Sequence, residues 1–195
     1  MKRNYFTGLL HFMRRWDGLT ASEAHAGRGN SISRGGRINI EGSETCRTAR
    51  TYTRLDPEFA EAIEPGVRRL VLTLVEKFDC ITYSSCEGHP QMQAGGVPSL
   101  RHVGIIPRDA GEYDELLHCF RRAVDACRRL AARRSANVSV VERILSSENI
   151  ALPCFEILFE REGAGWAAYF SHLEGVYELF IEHLVEEAHA RVVQG

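Results

Sequence analysis

The fold class is decided by two runs of β-forming residues, NVSVVERIL (residues 137–145) and CFEILFE (residues 154–160). In the second run Phe155, Ile157 and Phe159 occupy every second position, which is the period of a strand with one buried face. Helical patterns precede and follow these runs. The sequence therefore predicts an α+β fold in which helices pack on a mixed sheet.

The elements around these two runs follow from the spacing of apolar residues. Apolar residues recur at three- and four-residue steps through 57–78, and a longer helix is predicted from about Gly111 to Arg134. The runs 80–85 and 102–106 read as strands, and the final segment reads as helix at least from Val176. This order of helices and strands indicates one compact α+β unit.

The first fifty residues differ in charge from the rest of the chain. Residues 1–50 contain nine Lys or Arg and four acidic residues, a net charge of +5, whereas the remainder has a net charge of -7. The segment AGRGNSISRGGR (residues 26–37) has almost no apolar surface to bury. We therefore predict a flexible basic Gly/Ser-rich arm over 1–50 and a single α+β domain over 51–195.

The composition is that of a globular protein and argues against a membrane protein. No run approaches the roughly 18 consecutive apolar residues that span a bilayer. The first sixteen residues are interrupted by His11, Arg14 and Arg15, where a secretory leader is apolar. The expected location is the cytoplasm, and the six cysteines read as reduced thiols.

The chemistry of the sequence is concentrated in TYSSCEGHP (residues 82–90), where a predicted strand ends before a Gly-containing loop. Open sheets bind ligands at the carboxyl ends of their strands. We expect a site there that binds a phosphate or a nucleobase. The residues predicted to bind the substrate are Ser84, Ser85, Glu87, Gly88 and His102.

Two other interpretations of the same stretch involve Cys86 and His89 directly. Their spacing lets a thiolate and an imidazole reach one zinc ion, with Cys154 or His102 as further ligands, although a single pair is only half a site. Alternatively, His89 lowers the pKa of Cys86, which then acts as a nucleophile with Glu87 as a base. The residues alone do not choose among these interpretations.

The order Arg54-Leu55-Asp56, then a helix, then a strand ending in Ser84-Ser85-Cys86-Glu87-Gly88 resembles the methyltransferase family of tRNA wybutosine synthesis. The resemblance covers about residues 54–190. It implies S-adenosylmethionine as the cofactor and methylation of a tricyclic guanine derivative in tRNA. The site residues it implies are Asp56, Ser84, Ser85, Cys86 and Gly88.

A second resemblance is carried by Cys86-Glu87-Gly88-His89 together with the strand and proline at 102–107, which are similar to GTP cyclohydrolase I. This resemblance implies a zinc ion held by Cys86, His89 and Cys154. Gly88 stands where that family has a catalytic imidazole. The resemblance therefore implies the metal but not the ring-opening reaction.

Taken together, the sequence predicts a nucleotide- or RNA-directed modifying enzyme, with S-adenosylmethionine-dependent methyl transfer to a modified tRNA base as the first hypothesis. Catalytic roles are expected for Asp56, Cys86 and His89, with Asp56 or His89 accepting a proton. RNA would contact the N-terminal arm and the basic face of the long helix. That face consists of Arg121, Arg122, Arg128, Arg129 and Arg133. The alternatives are a Cys/His metal-dependent hydrolase of a nucleotide and a non-catalytic subunit whose arm binds a protein partner.

Overall fold

The computed structural model describes residues 3–6, 8–20, 51–90, 98–130, 134–147, 150–163 and 165–194. The strands of this part of the chain are β1 (Arg3–Tyr5), β2 (Ile81–Cys86), β3 (His102–Ile106), β4 (Ala136–Ser147) and β5 (Ile150–Arg161). Its helices are α1 (Leu9–Trp16), α2 (Phe59–Ala62), α3 (Pro65–Phe78), α4 (Ala110–Leu130) and α5 (Trp166–Gln194).

The strands form one sheet in the order β1-β4-β5-β3-β2. Strand β1 runs parallel to β4, whereas the other neighbouring strands are antiparallel. The two longest strands, β4 and β5, pair along their whole length, from Ala136 with Arg161 to Ser147 with Ile150. The predicted α+β fold with a mixed sheet is therefore confirmed.

The alternation along β5 places its apolar residues against the helices. Phe155 contacts Phe120 of α4, with ring centroids 5.7 Å apart. Phe159 contacts Phe180 of α5 at 5.9 Å. Since all four rings are buried, each contributes roughly 1.5–3 kcal/mol of burial free energy to this interface.

The domain begins earlier than residue 51, where the sequence analysis placed its start. Strand β1 pairs with β4, and α1 buries Leu9, Phe12 and Trp16. The ring of Trp16 meets that of Phe59 edge-on at 5.4 Å. The predicted boundary is corrected so that the domain includes residues 3–6 and 8–20. The prediction relied on the charge and composition of residues 1–50 as a whole, which concealed the apolar residues at helical spacing in α1. The rest of the predicted arm, residues 21–50, lies outside the described residues.

Candidate functional site

The predicted site lies where β2 ends beside the start of β3. The register pairs Ser84 with Gly104 and Cys86 with His102. Beyond Cys86 the chain turns through Gly88 at a φ of 79°. A Cβ atom at Gly88 would lie 2.9 Å from the backbone nitrogen of Arg101. This turn therefore requires glycine, for both its conformation and its close approach to the segment before β3.

Three side chains with metal-ligating atoms converge at this turn: Glu64, Cys86 and His89. Their ligand atoms all lie within 4.8 Å of one another, and Glu64 Oε1 is 3.1 Å from His89 Nε2. Cys86 and Glu64 are buried, whereas the side chain of His89 is 39% exposed. We refer to these three residues as the Glu64–Cys86–His89 cluster; its exposed edge is the imidazole of His89.

Glu64 belongs to the cluster because of its position at the start of α3. It is the N-cap residue of that helix, but its side chain makes no capping hydrogen bond. Instead, Oε2 accepts a hydrogen bond from the backbone N–H of Glu87 at 2.8 Å. Burial raises the pKa of Glu64 above its ordinary value of 4.5, and the Glu87 carboxylate adds to the effect, although the Glu87 N–H and His89 oppose it.

Cys86 is held by polar contacts but remains a protonated thiol at neutral pH. Its sulfur accepts a hydrogen bond from the N–H of Gly88 at 3.4 Å and lies 3.6 Å from the hydroxyl of Ser99. Burial raises the pKa of Cys86 above 9.0, even though both contacts favour the thiolate. This direction argues against a free nucleophilic thiolate, whereas a metal ion would displace the proton.

Glu87 joins the turn to α3 and to the segment before β3. Its Oε2 accepts a hydrogen bond from the N–H of Gly66 in α3 at 2.7 Å. Its backbone oxygen accepts one from Nε of Arg101 at 2.8 Å. Glu87, which was predicted to bind the substrate, therefore holds the turn against α3 and against the segment before β3.

Ser84 and His102 form a second polar pair, and His102 is the backbone register partner of Cys86. The hydroxyl of Ser84 is 3.1 Å from His102 Nε2, and His102 Nδ1 is 3.4 Å from the carbonyl of Leu100. Burial lowers the pKa of His102 below 6.5, with Glu156 opposing the shift, so the imidazole is neutral at pH 7. Ser85 is buried and pairs with Val103 of the core.

Asp56 and Cys154, two further predicted site residues, lie elsewhere. Asp56 Oδ2 is 2.5 Å from the guanidinium of Arg15 and accepts the backbone N–H of Thr53 at 2.6 Å. Cys154 is buried with its sulfur 3.8 Å from the hydroxyl of Tyr83, and burial raises its pKa to about 12. Among the described residues, the partner that the structure brings to Cys86 and His89 is therefore Glu64.

Three of the five arginines of the predicted basic face have acceptors within the described part of the protein. Arg121 pairs with Glu142 at 2.7 Å, and Arg122 pairs with Glu187. Arg128 donates from Nε to the carbonyl of Val138 at 3.2 Å. Arg129 is exposed, and Arg133 lies outside the described residues. RNA binding at this face stays a prediction, and phosphates would have to compete with these partners.

Comparison of the chain with protein-family models, with curated proteins and with solved structures yields no match. The resemblances to the wybutosine methyltransferases and to GTP cyclohydrolase I therefore stay predictions from short motifs. Within the described part of the chain, no helix is both long enough and apolar enough to cross a membrane.

Proposed function

We propose that this protein is a metal-dependent enzyme that holds a zinc-type divalent ion in the Glu64–Cys86–His89 cluster and hydrolyses a nucleotide or nucleic-acid substrate. The observation that carries the proposal is the convergence of a carboxylate oxygen, a thiol sulfur and an imidazole nitrogen within 4.8 Å of one another. These are the three ligand types that zinc prefers in proteins.

The distances suit a tetrahedral ion. Zinc bonds of about 2.0–2.3 Å place neighbouring ligand atoms about 3.3–3.7 Å apart. The oxygen of Glu64 and the nitrogen of His89 are 3.1 Å apart. An ion between them would take the place of their hydrogen bond after a slight separation. The sulfur of Cys86 needs only to move closer to the other two atoms, since none of the three separations exceeds 4.8 Å.

The charges also favour a cation. Glu64 is buried, and both this burial and the nearby Glu87 carboxylate raise its pKa. A divalent ion balanced by the Glu64 carboxylate and the Cys86 thiolate gives a neutral buried set, which removes the cost of an uncompensated charge. Glu64 also keeps its hydrogen bond from the Glu87 N–H, which orients the carboxylate as metal-site neighbours commonly do.

Three protein ligands are the number found in catalytic rather than structural zinc sites, and such an ion supplies Lewis-acid chemistry at its remaining position. The partial exposure of His89 gives a substrate access to the cluster. Ser84 and His102 supply a hydroxyl and a neutral imidazole on the same pair of strands, where His102 is the backbone register partner of Cys86. Ser84 would bind the substrate and His102 would accept a proton.

The nucleotide or nucleic-acid class of substrate is supported by the two sequence resemblances, which both point to guanine derivatives. A panel of nucleotides and a tRNA pool would be incubated with the zinc-loaded protein and with protein stripped by a chelator. Hydrolysis that requires zinc and is lost in His102→Ala is the expected result. A protein that binds zinc but cleaves none of these substrates would refute the substrate class.

Methyl transfer is the second candidate, and the observation that favours it is the neutral imidazole of His102, which is a proton acceptor that needs no metal. S-adenosylmethionine would be the methyl donor. Calorimetric titration of the metal-free protein with S-adenosylmethionine tests this candidate. Saturable binding that His102→Ala leaves intact but that Ser84→Tyr blocks would favour methyl transfer at this site.

The metal itself is tested by mass spectrometry of the purified protein. We expect about one zinc ion per chain in the wild type, and loss of the ion in Glu64→Gln, Cys86→Ser and His89→Ala. Cys154→Ala is the matched control, because the sequence resemblance makes Cys154 a ligand whereas the structure places it beside Tyr83. A wild-type protein that holds no metal even after zinc is added would refute the proposal.

A further inference from the structure

Ser99 contacts two of the three residues of the Glu64–Cys86–His89 cluster. Its hydroxyl oxygen accepts the backbone N–H of His89 at 3.0 Å and lies 3.6 Å from the sulfur of Cys86. The backbones of Ser99 and His89 are also joined by two hydrogen bonds, at 3.0 and 3.2 Å. These two backbone hydrogen bonds fix the main chain of Ser99 beside that of His89, and so they place the Ser99 hydroxyl near the cluster.

Arg101, on the same segment, holds the middle of the turn. Its side chain is only 4% exposed, and Nε donates to the carbonyl of Glu87 at 2.8 Å. The guanidinium lies 4.4 Å from the ring centroid of Tyr177 and pairs with Glu174, both in α5. Arg101 thus connects the turn that contains Cys86 and His89 to the longest helix of the fold.

We propose that Ser99 and Arg101 are positioning residues of the metal centre: they hold the turn 86–89 so that Cys86 and His89 face one ion together with Glu64. This inference rests on the proposed function. Neither residue is a ligand. Neither was predicted from the sequence. Ser99 lies ten positions after His89, and an antiparallel bridge beyond the ends of β2 and β3 brings the two residues together.

The Ser99 hydroxyl has a specific effect on the sulfur. Its oxygen already accepts the N–H of His89, so its proton is available to the sulfur of Cys86. A metal-bound thiolate can only accept, which makes Ser99 the donor in the loaded protein. Hydrogen bonds of this kind around metal ligands typically change affinity 10- to 100-fold.

Cobalt(II) is the probe for this inference, because a thiolate ligand gives its complexes a charge-transfer absorption band. Wild type, Ser99→Ala and Arg101→Lys would be titrated with cobalt, and both affinity and band position recorded. Ser171→Ala is the matched control, since Ser171 is exposed and its hydroxyl donates to the carbonyl of Ala168 within α5. We expect Ser99→Ala to weaken cobalt binding about 10- to 100-fold and to shift the band, with no change in Ser171→Ala.

Arg101→Lys should also weaken binding, because one ammonium group cannot keep the Glu87 contact, the Glu174 pair and the stacking on Tyr177 together. If this variant does not fold, Ser99→Ala decides the question, because it removes a single hydroxyl. Equal affinity and an identical band in Ser99→Ala and wild type would overturn the positioning role while leaving the metal centre intact. A wild type that binds no cobalt would refute the metal centre and this inference with it.

Discussion

Asp56 and Glu64 are two carboxylates of the same short stretch with similar burial and opposite electrostatics. Their side chains are 15% and 11% exposed. At Asp56, burial alone would raise the pKa, but hydrogen bonds from Thr53 and the charge of Arg15 outweigh it and hold the pKa below 3.8. At Glu64, burial prevails and the pKa lies above 4.5, with Glu87 as an acidic neighbour.

The difference shows what separates a structural carboxylate from a candidate ligand. The charge of Asp56 is balanced inside the fold, where it joins α1 to the segment before α2. The Glu64 carboxylate contacts the half-exposed imidazole of His89, and the nearby carboxylate of Glu87 repels it. A bound cation is therefore stabilised little by Asp56 and strongly by Glu64, although the sequence predicted a catalytic role for Asp56.

The largest effect expected from this comparison is on metal affinity. Glu64→Gln should weaken zinc binding at least about 100-fold, because an amide is a poor substitute for a charged ligand in a site of three. Asp56→Asn should leave zinc affinity within a factor of about three, since Asp56 lies outside the cluster. Competition with a chromophoric chelator measures both affinities. Comparable losses of zinc affinity in the two variants would show that Glu64 is no more a metal ligand than Asp56 is.

Stability should respond in the reverse order. Arg15→Met leaves the Asp56 carboxylate buried without its cation and should lower the free energy of unfolding by about 2–4 kcal/mol. In metal-free protein, Glu64→Gln should change it by less than about 1 kcal/mol, because the amide oxygen keeps the hydrogen bond from the Glu87 N–H and the carboxylate was costly to bury. Urea unfolding provides both values. A greater loss in Glu64→Gln would contradict this prediction.

The pH dependence of the Asp56 contribution sharpens the comparison. Its pKa is lower in the folded state than in the unfolded chain, so the stabilisation is complete above the unfolded value of about 3.9 and is lost as the pH falls through the folded value. The stability gap between wild type and Asp56→Asn should stay constant from pH 7 to about pH 5 and shrink below pH 4. Urea unfolding in a pH series tests this prediction. A stability difference that narrows between pH 7 and 5 would mean that a group other than Asp56 titrates in this range.

The smallest effect is expected at an exposed carboxylate. Glu142 pairs with Arg121, and both side chains are about half exposed. Glu142→Gln should lower stability by no more than about 1 kcal/mol, because water screens such pairs. The same urea experiment supplies the value. If Glu142→Gln lost as much stability as Arg15→Met, burial would not explain the strength of the ion pair between Arg15 and Asp56.

The periodicity of the chain was sufficient to predict the main elements. The strand expected at 102–106 is β3 (His102–Ile106), and the helix expected from about Gly111 is α4 (Ala110–Leu130). Apolar residues in these elements recur every two to four positions, so a short stretch of sequence is enough to recognise them. The contribution of α1 was missed for a different reason, since its apolar residues were averaged with a Gly/Ser-rich segment of opposite character.

The candidate site was predicted only in part. The stretch TYSSCEGHP indicated Cys86 and His89 at the end of a strand, and the structure places both there. The structure adds Glu64 as the partner of Cys86 and His89, where the sequence resemblance suggested Cys154. The only local signal for Glu64 was its place before Pro65 at the start of a helix. This signal marks the helix terminus but does not show which residues contact the Glu64 side chain.

The sequence by itself determined the kinds of elements, their order and the strand end where the polar residues are concentrated, because each of these depends on neighbours a few positions apart. The tertiary structure alone decided which of the polar residues meet. Glu64 reaches Cys86 because α3 packs beside β2. Ser99 reaches both Cys86 and His89 because β2 pairs with β3 and a bridge between His89 and Ser99 lies just beyond that pairing. Contacts between distant segments depend on the packing of the whole chain, which no local pattern specifies.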